Sequence, residues 1–333
     1  MKVVILGGTR FLGRHLAQSL LRRGHDVTLY HRGNSLPLGI PGARNVVGDR
    51  DVAIDCPEAG YDAVVDTCGF VPRQVELSTT HFKKNSPNGS YLFVSSISVY
   101  DDRLAPNSDE QAPLWEAERV ETEEVTPESY GPLKAACERV VVSEYQTQAL
   151  VVRPGLIVGP WDRSDRFTYW VRRLWLGGDV LVPGSPLRRI QVIDARDLAD
   201  WIVLLLEGGV HGIFNATGPD YRLTFGDLVT SCAAIGGSKH TLHWAGEQFL
   251  IDAGVQPWTE LPLWVPAHEA AGFESISSGR AQSNGLTYRS IDATIADTLR
   301  WDRSRGLPEL SSGLPIERER ALIERLRASS LVD

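Results

Sequence analysis

Val3-Val4-Ile5-Leu6-Gly7-Gly8-Thr9-Arg10-Phe11-Leu12-Gly13 is the stretch on which the fold turns. Its leading residues are apolar on both faces, as in a strand buried inside a parallel sheet. Gly7-Gly8 ends that run. Beyond it Leu12, Leu16, Leu20 and Leu21 recur at helical spacing until Gly24, which stands where a helix stop belongs. A glycine at a strand-to-helix joint lets the backbone turn tightly and approach an anion, whose charge suits the N–H groups and dipole of the helix start. Gly13 lets the helix pack closely on the strand. Gly7, Thr9, Arg10, Phe11, Leu12 and Gly13 therefore read as a pyrophosphate-holding loop, with Arg10 where the usual pattern has its middle glycine.

Working outward, residues 27–30, 63–67, 91–95 and 150–153 repeat the doubly apolar strand pattern, with helical patterns between them. Such alternation implies right-handed crossovers and an α/β, doubly wound parallel sheet of Rossmann type, which takes ligands at the carboxyl ends of its strands. After residue 158 the alternation weakens. Residues 161–189, rich in Trp, Arg, Gly and Pro, read as an irregular lobe. A strand-like return at 190–193, a helix over 197–207 and a short strand at Phe214-Asn215 follow. Residues 220–300 mix helices and loops, interrupted by Pro257, Pro262 and Pro266. The expected organisation is a dinucleotide-binding domain over 1–158 with returns near 190–216, and a smaller, mixed substrate lobe over 159–189 and 217–310. A surface helix is expected within 311–333.

The 333 residues exceed what one hydrophobic core usually organises. A hydrophobic content of 42% and a charged content of 23% are those of a soluble globular protein. The net charge of −8 argues against a nucleic-acid partner or an anionic membrane surface. Cys56, Cys68, Cys137 and Cys232 form no CxxC pair and no ligand spacing with histidine, so no metal is expected. Scattered cysteines point to a reduced, cytoplasmic compartment. The opening apolar run is too short for a signal-peptide core, and the run over 201–206 is far short of a membrane span.

Cofactor choice is read at the end of the second strand, where an acid would accept from a free ribose 2′-hydroxyl. Here the segment is Tyr30-His31-Arg32-Gly33-Asn34. Arg32, with Arg10, suits a 2′-phosphate through charge-assisted hydrogen bonds, so NADP is preferred. NAD is the alternative if Arg32 is only a solvated charge.

Tyr130 and Lys134 stand four residues apart, on one face of a helix. A phenol is a poor acid or base at neutral pH, and a neighbouring cation favours its ionised form. Pro132 is tolerable only near a helix start, which puts Tyr130 at the mouth of that helix. Ser95-Ser96-Ile97-Ser98 ends an apolar strand at the edge where ligands bind, and a serine there can hold a substrate oxygen against the tyrosine.

Together these residues resemble the extended short-chain dehydrogenase/reductase superfamily, the NAD-dependent epimerase/dehydratase type. The resemblance is carried by the 7–13 loop, Gly48-Asp49-Arg50, Ser96, Tyr130 with Lys134, and Arg153-Pro154-Gly155-Leu156-Ile157-Val158-Gly159-Pro160. Ile193-Asp194-Ala195-Arg196-Asp197-Leu198-Ala199 adds to it. The loop itself is similar to a subgroup whose members include chloroplast stem-loop-binding proteins. The resemblance implies that Tyr130 is the general acid/base, that Lys134 binds the nicotinamide ribose and lowers the tyrosine pKa, and that Ser96 polarises the substrate carbonyl. It further implies that Asp49 and Arg50 lie by the adenine, Cys68 and Gly69 along the cofactor, and Pro154, Gly155 and Leu156 by the carboxamide. It also implies a homodimer through the helix carrying Tyr130.

Departures narrow the chemistry. Sugar-nucleotide 4,6-dehydratases have an Asp-Glu pair where this chain has Ile97-Ser98, which disfavours elimination. Many nucleotide-sugar epimerases have asparagine at Leu156, although Arg189 lies one residue from where they place a phosphate-binding arginine. Isoflavone reductases lack the serine and the tyrosine. Ser98, Trp161, Arg166, Trp170 and Arg189 are candidate contacts to a small-molecule substrate. The expected activity is NADP(H)-dependent interconversion of a carbonyl and an alcohol. The alternatives are a sugar-nucleotide epimerase with retained NAD(P) and a dinucleotide-sensing or RNA-binding protein.

Overall fold

In the computed structural model, which describes residues 1–34, 40–116, 122–236, 239–267 and 272–329, the apolar runs form one sheet of seven parallel strands. The strands are β1 (Lys2–Leu6), β2 (Asp26–His31), β3 (Arg44–Val47), β4 (Ala63–Asp66), β5 (Ser90–Val94), β6 (Ala149–Pro154) and β7 (Gly212–Ala216). Their order is β7-β6-β5-β4-β1-β2-β3, every neighbour running parallel. The order reverses between β1 and β4, and a crevice opens at their carboxyl ends, as the doubly wound topology requires. This is the α/β fold expected.

Four helices flank the sheet: α1 (Phe11–Arg22), α2 (Pro72–Asn85), α3 (Pro127–Tyr145) and α4 (Ala195–Glu207). α2 packs on α3, and α1 packs on α4. α2 and α3 bury Val75, Phe82, Cys137 and Val141 in one apolar cluster with Val4, Leu6, Val64, Phe93 and Val151 of the strands. The burial of such side chains is the main stabilising term.

The chain divides into two units. The first comprises Met1–Ile157, Ala195–Gly218 and Ile276–Thr287, and holds the sheet. Its last segment is tied in by polar bonds: Asn215 Nδ2 donates to Ser277 O (3.2 Å), Thr217 N to Ser278 Oγ (2.8 Å) and Trp201 Nε1 to Asn284 O (3.0 Å). The second comprises Val158–Asp194, Pro219–Ser275 and Tyr288–Asp333.

The second unit differs from the sequence reading in three places. Residues 161–189 are not irregular, since a helix spans Arg166–Leu176, burying Phe167, Trp170, Val171 and Leu174 at i, i+3, i+4 and i+7. The strand Gly178–Pro183 then pairs in parallel with His240–Ala245. The return to the large sheet comes at Ala195 rather than near 190, because Arg189–Ile190 pairs with Leu223–Thr224 inside the second unit. The helix expected as a surface element spans Ile316–Ser329 and has a docked face, with Glu319, Leu322 and Ile323 buried. Arg173 Nε and Leu181 N both donate to the Glu319 carboxylate. Residues 330–333 of that expectation lie outside the described residues. Among the described residues no helix is long and apolar enough to cross a membrane.

Candidate active site

A cavity of about 500 Å³ opens at the carboxyl ends of the strands of the first unit. Its size is that of a small-molecule or cofactor site. Gly7, Thr9, Arg10, Phe11, Leu12 and Gly13 line one side. Gly7 has φ +86°, and a Cβ there would stand 2.8 Å from Thr67 Oγ1 and 2.9 Å from Cys68 Cβ. A Cβ on Gly13 would meet Gly7 O at 2.7 Å. The loop is thus closed to side chains at both glycines and leaves bare backbone facing the cavity. α1 begins without a side-chain cap and with no acid in its first turn, so its terminal N–H groups suit an anion.

His31, Arg32, Gly33 and Asn34 line the cavity beyond β2, with Arg32 exposed. Cys68, Ser95, Ser96, Tyr130, Lys134, Pro154 and Gly155 line it elsewhere. The Ser95 hydroxyl is buried and has no hydrogen-bond partner among the described residues. A buried, unpaired hydroxyl in a cavity wall calls for a ligand atom. The cradle, the uncapped helix start and this hydroxyl fit a dinucleotide.

Three expected contacts fall outside the wall. Asp49 is exposed and turns its Oδ1 to Asp51 N (3.0 Å). Gly69 offers its carbonyl to Lys134, and Ile157 lines the cavity where Leu156 does not. Arg50 does border the cavity, but its guanidinium is committed to the protein. It meets both Asp66 oxygens at 2.6 and 2.8 Å and also donates to Gln74 O and Ser78 Oγ. Burial alone would raise the Asp66 carboxyl, yet the Arg50 guanidinium holds it below the usual range. Arg50 is a strut beneath the site.

α3 starts at a capping box in which Thr126 and Ser129 exchange side-chain and backbone bonds, with Pro127 at the first position. Tyr130 follows at the end of the first turn. Pro132 lies inside the helix, where it brings no N–H to the preceding turn. Gly131 fixes where the helix sits, since a Cβ there would fall 2.2 Å from Ser98 O and 2.8 Å from Trp115 Nε1. Only glycine lets α3 press directly on the turn that follows β5, and this brings Tyr130 and Ser96 to one cavity. Ser96 caps that turn: its Oγ accepts from Ser98 N (3.1 Å) and donates to Ser98 Oγ (3.1 Å). Ser98, expected at the substrate, does not line the cavity and instead holds Ser96.

The Lys134 ammonium is buried, donates to Gly69 O (2.9 Å) and Val94 O (2.7 Å), and lies 4.1 Å from the centre of the Phe93 ring. Two of its three hydrogens are thereby taken. Burial pushes its pKa from the ordinary 10.5 down to about 8. Below about 8 both folded and unfolded chains carry this proton, and the desolvation penalty is present in full. Between there and 10.5 only the unfolded chain holds it, so folding stability rises with pH. Lys134→Met should abolish that rise. Urea midpoints of the two proteins are expected to differ most near neutrality and to converge at alkaline pH. A difference constant with pH would refute the assignment.

A further buried pair, besides Arg50–Asp66, also escaped the sequence reading. Arg153 Nη2 and Nε donate to Glu138 at 2.7 and 3.0 Å, and Nη1 donates to Tyr100 Oη at 3.0 Å. The signal was available: Arg153 interrupts an apolar strand, and a buried charge needs a partner.

The remaining candidates lie in the second unit. Trp170 cannot meet a substrate, because it is wholly buried, donates from Nε1 to Pro262 O (2.7 Å) and packs edge-on against Tyr169 and Phe225. Trp161 sits 6.2 Å from the Trp301 ring at φ +74°. Arg166 stacks over the partly exposed Trp258 at 5.5 Å. Arg189 is held in register with Thr224.

Comparison with known proteins bears on this arrangement. The chain is 28% identical over 270 residues to the chloroplast stem-loop binding protein of 41 kDa b of Arabidopsis thaliana, covering 74% of this chain and 67% of that protein. It is 26% identical over 258 residues to the human epimerase family protein SDR39U1, covering 71% and 81%. UDP-glucuronic acid 4-epimerase from Bacillus cereus, solved with NAD, superposes with a TM-score of 0.65 at 14% identity over 92% of this chain and 99% of that one. The Bordetella bronchiseptica enzyme WbmH, solved with NAD⁺, gives 0.66 at 17% over 92% and 99%. These two share the fold. The family model for the NAD dependent epimerase/dehydratase family matches residues 3–216, from within β1 to the last residue of β7. With its glycine loop, its cavity and all but the first residue of its sheet inside that span, the chain belongs to the NAD dependent epimerase/dehydratase family.

Proposed function

We propose that this chain is an NADP(H)-dependent oxidoreductase that interconverts a carbonyl and an alcohol on a small-molecule substrate. The observation that carries the reading is that Ser96, Tyr130 and Lys134 line the same cavity as the glycine loop and Arg32. The loop and the start of α1 would hold the pyrophosphate, Arg32 with Arg10 the 2′-phosphate, and the Ser95 hydroxyl a further polar group of the cofactor. When bound, the nicotinamide supplies or accepts the hydride. Tyr130 gives its phenolic proton to the substrate oxygen in reduction and takes it back in oxidation. Ser96 holds that oxygen once its O–H turns from Ser98 Oγ, a rotation about a single bond. The desolvated charge of Lys134 favours negative charge developing on the Tyr130 oxygen, and its third N–H is left for the cofactor ribose.

Calorimetric titration of the cofactor-stripped protein with NADP⁺ and NAD⁺ tests the reading. NADP⁺ is expected to bind more tightly, and Arg32→Ala to weaken NADP⁺ roughly ten- to a hundredfold with NAD⁺ little changed. Equal affinities would overturn the 2′-phosphate assignment. A carbonyl panel with NADPH would follow.

The family name and the UDP-glucuronic acid 4-epimerase neighbour favour a second reading, an epimerase that retains NAD(P). Stoichiometric loss of NADPH separates the two, because an epimerase consumes none. Similarity to a stem-loop binding protein makes RNA a third outcome, opposed by the net charge of −8. Retention of labelled RNA on a filter at physiological salt would favour it.

A further inference from the structure

The segment that carries Arg32 is held in place by a side-chain relay that does not itself border the cavity at its far end. Arg32 follows the last residue of β2 and precedes Gly33, whose φ of +78° folds the chain back. Among the described residues Arg32 forms no ion pair, so the backbone around it sets the root of the side chain and with it the region its charge can reach. That backbone is tied to β2 through a histidine ring: Gly33 N donates to His31 Nδ1 at 3.0 Å. The opposite ring nitrogen, Nε2, meets Asn45 Oδ1 at 3.0 Å. Asn45 in turn directs its Nδ2 to Ala43 O at 3.4 Å, which aims the amide oxygen at the ring.

The donors and acceptors allow one arrangement only. Nδ1 must offer a lone pair to Gly33, so Nε2 carries the hydrogen and needs an acceptor, which Asn45 provides. Register explains why Asn45 is the partner. β2 and β3 run parallel with His31 opposite Val47, and Asn45 lies two residues earlier on the same face. Gly48 N completes the tie by donating to His31 O at 3.1 Å. His31 is buried and lines the cavity, whereas Asn45 is exposed on the edge strand and does not line it.

We infer that Asn45, acting through His31, is a specificity-determining positioning residue: it fixes the Arg32 turn so that the guanidinium meets a 2′-phosphate. The inference rests on the NADP(H) reading of the same cavity. Only NADP carries a group that needs Arg32, so disturbing the relay should cost NADP affinity and spare NAD. A merely structural role for Asn45 would lower both affinities together.

The experiment measures Kd for NADP⁺ and NAD⁺ on the cofactor-stripped wild type, Arg32→Ala and Asn45→Leu, with thermal unfolding as a check on folding. Asn45 is exposed on an edge strand, so Asn45→Leu is expected to fold. Its NADP⁺ affinity should fall about tenfold while NAD⁺ stays within about twofold. Two outcomes overturn the positioning role alone: Arg32→Ala loses the NADP⁺ preference and Asn45→Leu keeps it, or Asn45→Leu weakens both cofactors equally. A wild type without any NADP⁺ preference overturns the cofactor reading, and the inference with it.

Discussion

Tyr130→Phe should lower turnover about a thousandfold, the middle of the range for loss of a positioned acid or base. The ring remains, so the packing around α3 remains. Gly131, which sets the approach of α3 to the turn after β5, is untouched. Only the hydroxyl is removed, and with it the proton that, on the proposed function, would balance the charge left on the substrate oxygen by hydride transfer. NADP⁺ affinity should stay within a few fold of wild type, since on the same proposal the glycine loop and the start of α1 would carry the cofactor's charge. The check is steady-state oxidation of NADPH with the best carbonyl of the panel, beside calorimetric cofactor binding. A fall in kcat with cofactor Kd unchanged is the expected split. Unchanged kcat would remove Tyr130 from the chemistry.

Glu138→Ala should be strongly destabilising, at about 3–5 kcal/mol. Arg153 is only 1% exposed, and Glu138 accepts three of its hydrogen bonds. Removing the carboxylate leaves a buried guanidinium with Tyr100 and the Glu110 carbonyl as its remaining partners. Neither neutralises charge. Replacing both members with apolar side chains of similar volume should recover much of the loss, because the pair's desolvation then disappears with its attraction. Urea unfolding of the single and double variants measures this, and a single variant within 1 kcal/mol of wild type, roughly the worth of an exposed pair, would show that the charges are not coupled as described. The pair also bears on chemistry. Tyr130, Lys134 and Glu138 repeat every four residues along α3, and Glu138 fastens that face to the strand leading into Pro154 and Gly155.

What could be read in the chain was what burial writes on both faces of a strand. β1, β2, β4, β5 and β6 are flanked by strands on both sides and covered by helices, so their central residues are mostly apolar on both faces, with Thr28 of β2 and Arg153 of β6 as polar breaks. β3 has one neighbour and a largely exposed surface, Arg44 and Asn45 included, and carried no such mark. The helix at Arg166–Leu176 was hidden by its Trp and Arg content, although the spacing of Phe167, Trp170, Val171 and Leu174 was helical throughout. Around the site, the residues tied to local patterns were legible: the glycine loop, the Tyr130–Lys134 spacing and Ser96 all border one cavity. Side-chain pairings were not. Nothing in the neighbourhood of Ser98 says that it holds Ser96, and nothing near Arg50 says that its charge faces Asp66 rather than a ligand. The first is a side-chain choice within one turn and the second joins a loop to the end of β4, and periodicity encodes neither.

The sheet that begins at the second residue is completed by a strand some two hundred residues later and pinned by a segment later still. On the ribosome, therefore, the first unit cannot be finished when its opening half emerges. Until residues 195–207 arrive α1 lacks the helix that covers it, and until residues 212–216 arrive the nascent sheet ends at β6 with an open row of backbone donors and acceptors. Synthesis must pass through the whole central insertion of the second unit before Ser277, Ser278 and Asn284 can close the first. A chain stalled between β6 and residues 212–216 presents an open sheet edge to the cell, and chaperone capture of such chains is the expected fate.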